Sequence, residues 1–572
     1  ISAFNSLTLS PALAALLLRP HDAPKDWLAR AMDRALGGFF AWFNRVFAAG
    51  SKNYGKGVGG ILGRKSAALL VYGLLLAATV FAFRIVPPGF VPTQDKQYLV
   101  SFAQLPQGAT LDRTESVIRA MSDIALKEPG VDGAVAFPGL SINGFINSPS
   151  AGIVFVTLKP FDQRTSADLS GPAIARKLQM KYAALKDAYI AIFPPPPVQG
   201  LGTIGGFKLQ VEDRTDLGNA ALNQVMQQIQ MKAAKTPELA GVFSNFNTGV
   251  PQLVAHLDRT KAMQLGVDVQ DVFDSMQVYL GSEYVDDFNK FGRTYEVIAQ
   301  ADAPFREKAD DILRLQVRNQ AGAMVPLGSV VNISETTGPD SALRYNGFRS
   351  ADLNGGAAPG YSSGQAQAAI TKILDETLPK GMRFEWTDLT YQQILTGDTA
   401  MLVYPICVLL VFLVLAAQYE SLFLPLAIIL IVPMCLLSAL TGVWLTGGDN
   451  NLFTQIGLFV LIGLACKNAI LIVEFARELE IGGEATLAAA IHAARLRLRP
   501  ILMTSFAFIM GVVPLVTSSG AGAEMRHAMG VAVFSGMLGV TAFGLFLTPV
   551  FYVLMRELEK RVTGTEAVHH HV

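Results

Sequence analysis

The chain alternates between long apolar runs near its ends and a long polar middle. About 20 consecutive apolar residues suffice to cross a bilayer as a helix. Complete runs of this kind fall at 66–88, 401–418, 422–445, 453–475, 501–516 and 528–555, and the opening 1–18 reads as the second part of a membrane helix. Between 88 and 399 no such run occurs. The middle shows shorter periods. QYLVSFAQL reads as a strand, LDRTESVIRAMSDIALKEP as a helix, GAVAFPG and GIVFVTLKPF as strands, SADLSGPAIARKLQMKYAAL as a helix and AYIAIF as a strand. That is the βαββαβ order of a ferredoxin-like unit. The order restarts with FKLQVED, a helix at 218–235 and a strand near 242–247. It resumes with SALRYNGFRSADLN, SSGQAQAAITKIL and MRFEWTDL, so residues 251–335 interrupt the second unit as an inserted α/β subdomain. The expected fold class is a polytopic α-helical membrane domain plus an α+β exterior domain of two ferredoxin-like units, the second one split. Two tandem units leave a cleft between them, a common place for a small-molecule site.

Charge sets the direction of the helices. The segment 19–65 carries Arg19, Lys25, Arg30, Arg34, Arg45, Lys52, Lys56, Arg64 and Lys65 against Asp22, Asp26 and Asp33, and is expected to be cytoplasmic. Its WLARAMDRALGGFFAWFNRVF stretch suits a helix lying on the inner membrane surface. Counting crossings from there puts 89–398 outside, and puts 477–499 and the tail with Arg556, Lys560 and Arg561 inside. Composition agrees. Charged residues make up 16% of the 572 residues, against about 25% in a soluble domain, and the mean hydropathy is +0.36. A formal net charge of zero gives no nucleic-acid footprint. Cys407, Cys435 and Cys466 lie in apolar runs without zinc-type spacing and read as buried thiols. No metal site is expected, and the histidine run 569–571 is a weak metal signal. The first residue is Ile, and the start has no signal-peptide pattern. It reads as a cut end.

One membrane residue stands out. Lys467 lies in the middle of the 453–475 run, where an uncompensated cation costs about 2.5–3.5 kcal/mol. It either snorkels to an interface or meets a carboxylate, and its central position favours the second. Glu474, two turns away near the inner interface, is a poor candidate. Arg497 and Thr504 lie seven residues apart and share a face if the helix begins before the apolar run does. By position alone Arg495, Arg497 and Arg499 read as anchors at the inner interface. No nucleophile–base pair, phosphate loop or metal-spaced cluster points to an enzyme.

Further motifs are specific. GLACKNAILIVEFARE (463–478) and RLRLRPILMTSFAFIMGVVPL (495–515) resemble the signature helices of the hydrophobe/amphiphile efflux RND transporters, the family of AcrB and MexB. LPQGAT (105–110), RYNGF (344–348), AAPG (357–360) and LAAQYES (415–421) match as well. AIFPPPPVQGLGTIGGFKLQVEDR and YVDDFNKFGRTY look closest to the MexF/OqxB/BpeF branch. The resemblance runs from residue 1 to about 561.

The resemblance implies a proton-driven drug antiporter in the inner membrane of a Gram-negative bacterium, with a large periplasmic domain and no cofactor beyond the coupling protons. Its parts would be 1–18, the end of a sixth membrane helix; 19–65, a cytoplasmic segment; 66–88, the seventh helix; 89–200, the first porter subdomain; 201–250 with 336–397, the second; 251–335, a docking subdomain; 398–557, helices eight to twelve; and 558–572, a cytoplasmic tail. The family's full chain has twelve membrane helices and carries its paired proton-binding aspartates on the fourth. Lys467, Arg497 and Thr504 match the family's relay, and Asn468 is a secondary hydrogen-bonding member. Implied partners are two further copies in a homotrimer, a periplasmic membrane-fusion adaptor, an outer-membrane channel, small amphiphilic drugs and the bilayer, with no nucleic acid.

Alignment to the family places pocket-lining positions at Val100, Phe102, Phe137, Phe155, Phe207, Leu209, Val211, Phe243 and Asn245. It makes the Gly/Ser/Asn-rich stretch 138–150, with Gly139, Leu140, Ile142, Gly144 and Phe145, a flexible switch loop. For any one strand phenylalanine, ordinary core is the competing reading. The loop has fewer phenylalanines than the better-known pumps and lacks their arginine, and Phe243 stands where they carry an arginine. Loss of cationic contacts points to neutral or zwitterionic flat substrates, and the branch resemblance to phenicols, quinolones and diaminopyrimidines. Two other readings compete. A heavy-metal exporter of the same superfamily needs a methionine cluster for soft ions, but Val100 and Ser150 stand at the matching positions. A non-transporting receptor or export accessory leaves Lys467 unexplained.

Overall fold

The computed structural model describes residues 4–17, 27–142, 144–397 and 399–563. Arg19, Lys25, Asn143 and the histidine run lie outside the described residues, as do parts of the segments 1–18, 19–65 and 558–572. A helix α1 (Trp27–Leu62) leads into α2 (Lys65–Ile85), and a soluble β-containing region follows.

That region opens with a four-stranded antiparallel sheet ordered β2-β3-β1-β4. Its strands are β1 (Tyr98–Gln104), β2 (Val131–Leu140), β3 (Asn147–Leu158) and β4 (Tyr189–Phe193), with α3 (Leu111–Leu126) after β1 and α4 (Gly171–Tyr182) after β3. Alternation along β1 sends Leu99 and Ala103 into a core with Val117, Met121, Ile174 and Leu178 of the helices. Val100 and Phe102 point the other way and are also buried, so this sheet is covered on both faces.

The second sheet follows the order β13-β14-β5-β15, with β6 pairing on β14. Its strands are β5 (Phe207–Asp213), β6 (Leu239–Phe243), β13 (Arg344–Tyr345), β14 (Phe348–Ala357) and β15 (Met382–Thr387). Helices α5 (Asn219–Ala233) and α6 (Ser363–Thr377) cover one face. Ser362 starts α6 with a capping box: its hydroxyl accepts from the Gln365 amide at 3.2 Å, and the Gln365 side chain accepts from the Ser362 amide at 2.9 Å. Strand β6 ends at Phe243, earlier than the pattern near 242–247 suggested.

Between β6 and β13 the chain leaves and returns along paired strands β7 (Val250–Leu257) and β12 (Val331–Gly338). They carry a small separate core around Ala262, Val272, Val317 and Leu327. They also carry a hairpin of β8 (Glu283–Lys290) and β9 (Arg293–Ala299), exposed at every position. Short strands β10 (Gln316–Arg318) and β11 (Met324–Pro326) complete the insert.

The C-terminal part is a helix bundle: α7 (Thr399–Tyr419), α8 (Phe423–Ile429), α9 (Val432–Leu445), α10 (Leu452–Ile481), α11 (Thr486–Val516) and α12 (Ala523–Thr563). Counting α8 and α9 as one span, and α2 with them, six helices among the described residues are long and apolar enough to cross a membrane. The run 422–445 is broken at residues 430–431, because Pro433 has no amide for a helical bond and its ring crowds the preceding turn. Helix α11 starts far upstream of its apolar run, since the Ala-rich TLAAAIHAARLRL stretch is itself a good helix former.

Small residues let α12 approach its neighbours. A Cβ on Gly536 would overlap Leu461, and one on Gly539 or Gly442 would overlap Ser438 or Ser535. Close approach of this kind supplies the dispersion contacts that hold helices together in lipid. At one end, Glu480 of α10 accepts from Tyr552 Oη at 2.6 Å and Arg556 Nε at 3.0 Å, while Lys560 lies 3.2 Å away. This knot ties α10 to α12.

Candidate functional site

Asn468 is buried between α10 and α11 and donates to Ser505 Oγ at 3.2 Å. This is the polar link between the two helices in mid-span. Lys467, the residue before Asn468, is turned outward to the exposed side of α10, in line with Val460 and Gly463. Thr504, the residue before Ser505, is likewise exposed, and its hydroxyl donates to the Ile501 carbonyl at 3.1 Å. Among the described residues no carboxylate pairs with Lys467. Glu474 interacts with Tyr419 instead.

Because α11 is continuous from Thr486, Arg497 and Thr504 sit on one helix two turns apart and share a face. The Arg497 guanidinium lies 3.1 Å from the Phe475 ring centroid, and its buried Nε has no hydrogen-bond partner among the described residues. Lys467 with Asn468 and Thr504 with Ser505 therefore put four polar groups at adjacent positions on two packed helices, with Arg497 two turns away on α11. Two of them, Lys467 and Thr504, face outward. Sequence reading named neither Ser505 nor Phe475. A serine seven residues before Val512 on the buried stripe of α11 was the available signal for the first.

The cleft positions divide into two groups. Val100, Phe102 and Phe243 meet in one apolar cluster with Ile142, Ile153 and Ile204, and Leu140 and Phe155 pack on its edge. The Phe102 and Phe243 ring centroids are 4.7 Å apart, joining the two sheets' units. Phe137 and Phe155 form an edge-to-face pair at 5.9 Å, with Phe137 exposed. Asn245 is half-buried. Phe207, Leu209 and Val211, in contrast, belong to the core beneath α5 and α6. Leu209 and Val211 have no exposed surface, which corrects their assignment as pocket lining. The reason is strand alternation. In FKLQVED the apolar set is the one the helices need, so Lys208, Gln210 and Glu212 take the other face. That face is polar and largely buried. Asn354 Nδ2 donates to Asp352 Oδ2 at 2.6 Å, and burial pushes the Asp352 carboxyl above its ordinary range.

The expected switch loop 138–150 takes in the end of β2 and the start of β3. Strand pairing continues past a bulge at Pro138 to Leu140↔Asn147, so only the tip is irregular. Gly139 and Gly144 take positive φ there, and Phe145 does so at 53° with its ring exposed. Ile142 is buried in the apolar cluster.

Between the β4 edge, the end of β6 and the bundle lies a cavity of about 670 Å³ that the sequence did not disclose. Tyr189, Phe193, Phe207, Tyr361 and Thr390 are among its lining residues. Of the nine expected positions it takes in only Phe207.

Residues 1–556 match the AcrB/AcrD/AcrF family. The toluene efflux pump membrane transporter TtgB of Pseudomonas putida is 38% identical over 98% of this chain and 53% of its own length. The multidrug export protein AcrF of Escherichia coli is 37% identical over 98% of this chain and 54% of its own. The multidrug resistance protein MdtF of Escherichia coli is 35% identical over 98% and 53%. The chain spans about half the length of the curated relatives it matches.

Proposed function

The chain belongs to the AcrB/AcrD/AcrF family, and from that premise we propose that it works as part of a proton-driven pump exporting amphiphilic drugs. The observation that carries the reading is Lys467, a cation in mid-span beside the Asn468–Ser505 link and on a helix packed against Arg497. A lysine there is stable when an ionised carboxylate faces it. We take that carboxylate to come from outside the described residues, as the family pattern implies. Protonating it would release Lys467, and Thr504 and Arg497 would rearrange with α10 and α11. Moving one charge through 100 mV is worth about 2.3 kcal/mol, so few protons suffice to bias the helices.

The exterior region fits two ferredoxin-like porter subdomains, 89–200 and 201–250 with 336–397, and a docking subdomain at 251–335. The strand order β2-β3-β1-β4 and the β7/β12 ribbon support this division. The exposed β8/β9 hairpin, with Tyr284, Phe288 and Tyr295, suits a role in assembly, as a homotrimer or against an adaptor and outer-membrane channel. Drugs would bind near Phe137, Phe155 and the Phe102/Phe243 cluster, with the loop around Gly144 and Phe145 as the moving element.

Lys467→Ala in the full-length protein tests the coupling. Export should fall to background while expression and oligomer size stay unchanged. Wild-type resistance in cells carrying this variant would sink the relay assignment.

A further inference from the structure

One end of α11 crosses α1 and brings together cations that no carboxylate among the described residues answers. Arg495 lies across Gly55 of α1, where a Cβ would sit 2.5 Å from Arg495 Cδ. Arg499, one turn further on, is 5.8 Å from the Phe47 ring centroid. The orientation of α1 is fixed by its other contacts. Tyr54 Oη donates to the Leu545 carbonyl of α12 at 2.6 Å, and a Cβ on Gly59 would sit 3.5 Å from Ile491 Cδ1 of α11. At about 100° per residue, Arg45, Lys52 and Lys56 fall within about 40° of one another. Their stripe lies directly beside the α11-facing one, and all three are exposed. Nearby acids are engaged elsewhere: Glu484 with His492, Glu480 with Arg556, and Glu557 with Lys65. Among the described residues, Arg45, Lys52, Lys56, Arg495 and Arg499 have no ion-pair partner.

We propose that the groove between α1 and the inner end of α11 binds the phosphate headgroup of an anionic phospholipid, held by Arg495 and Arg499 and flanked by Lys52 and Lys56. The aromatic side of α1 selects lipid over a soluble anion. Phe39, Trp42 and Phe43 are exposed on the same helix, about 60–160° round its axis from Arg45 and so on the flank of the basic stripe, where acyl chains rather than water would cover them. Guanidinium groups suit phosphate because their donors form a planar fork. Gly55 has a matching purpose, since any side chain there would displace Arg495 from the groove. The proposal rests on the reading of this end of the bundle as cytoplasmic.

The test uses the full-length protein, stripped of lipid in neutral detergent and titrated with phosphatidylglycerol or phosphatidylcholine, with bound lipid counted by native mass spectrometry. Wild type should prefer phosphatidylglycerol. R495Q/R499Q should bind it about thirtyfold more weakly, the change expected for two cations near an anionic surface. R495K/R499K should keep most of the affinity, and R561Q all of it. Equal binding of both lipids, unchanged affinity in the Gln variant, or equal loss in the Gln and Lys variants would overturn the proposal. Export is not measured, so failure here leaves the transport reading untouched.

Discussion

At the scale of single residues, the same side-chain type has opposite meanings according to which face it takes. Phe155 packs edge-to-face on exposed Phe137 and can give up a neighbour to a ligand. Leu209 has no such freedom under α5 and α6. Phe207 is intermediate, part of that core yet lining the large cavity. We therefore expect Phe155→Ala and Phe207→Ala to weaken export of some flat aromatic compounds about 2- to 10-fold and of others hardly at all, the range that one aromatic contact supports. Leu209→Ala should instead remove about 2–5 kcal/mol of stability and lower all export together. Susceptibility panels at matched expression separate the two patterns. Uniform losses in the phenylalanine variants would mark them as core. Sequence alone identified these phenylalanines but could not say which were core.

At the scale of elements, periodicity located the helices well and their ends poorly. Apolar length shows where lipid is crossed, whereas a helix ends where capping and packing end it, which is why α11 and α12 outrun their apolar cores. Packing between them is decided by small residues that no hydropathy pattern reveals. Gly539 of α12 faces Ser438 of α9 with no room for a Cβ. Gly539→Val should cost about 1–3 kcal/mol through overpacking. It should appear as a lower unfolding midpoint in detergent. Gly463, which has open space beside it, should tolerate Ala with no such shift. An unchanged midpoint for Gly539→Val would mean the helices separate freely.

At the scale of the whole molecule, short contacts join bundle to exterior. The Pro88 carbonyl accepts from Ser362 Oγ at 2.6 Å, and the Pro87 carbonyl from the Asn450 amide at 2.9 Å, linking the second unit to the bundle. The first unit is held through Asp95. Its amide donates to Glu524 of α12 at 3.2 Å, and its carboxylate accepts from Arg164 Nη1 at 2.8 Å and the Gly171 amide at 2.7 Å. Burial pushes the Asp95 carboxyl up, but Arg164 and the Gln97 and Gly171 amides outweigh it and leave the pKa lowered. A lowered carboxyl stabilises the fold above its ordinary 3.8 and loses that contribution as pH falls through the folded value. Asp95→Asn leaves buried Arg164 without its counter-charge and should cost about 3–5 kcal/mol near neutral pH. The difference from wild type should shrink as the buffer is taken below pH ~4. Thermal midpoints across pH check this, and a pH-independent difference would assign the loss to shape rather than charge.

The sequence by itself determined the membrane runs, the order of strands and helices in the polar middle and the exceptional position of Lys467. Each of these depends on local period or on the cost of placing a charge in hydrocarbon. Tertiary structure alone decided the rest. It put Leu209 and Val211 under helices, paired Asn468 with Ser505, laid Arg497 on Phe475, and drew most of 138–150 into a hairpin. It also opened a cavity whose walls come from segments hundreds of residues apart. Alternation gives a strand two faces but not which one a distant helix will cover. That choice belongs to the partner, and the partner's position is set only when the whole chain has packed.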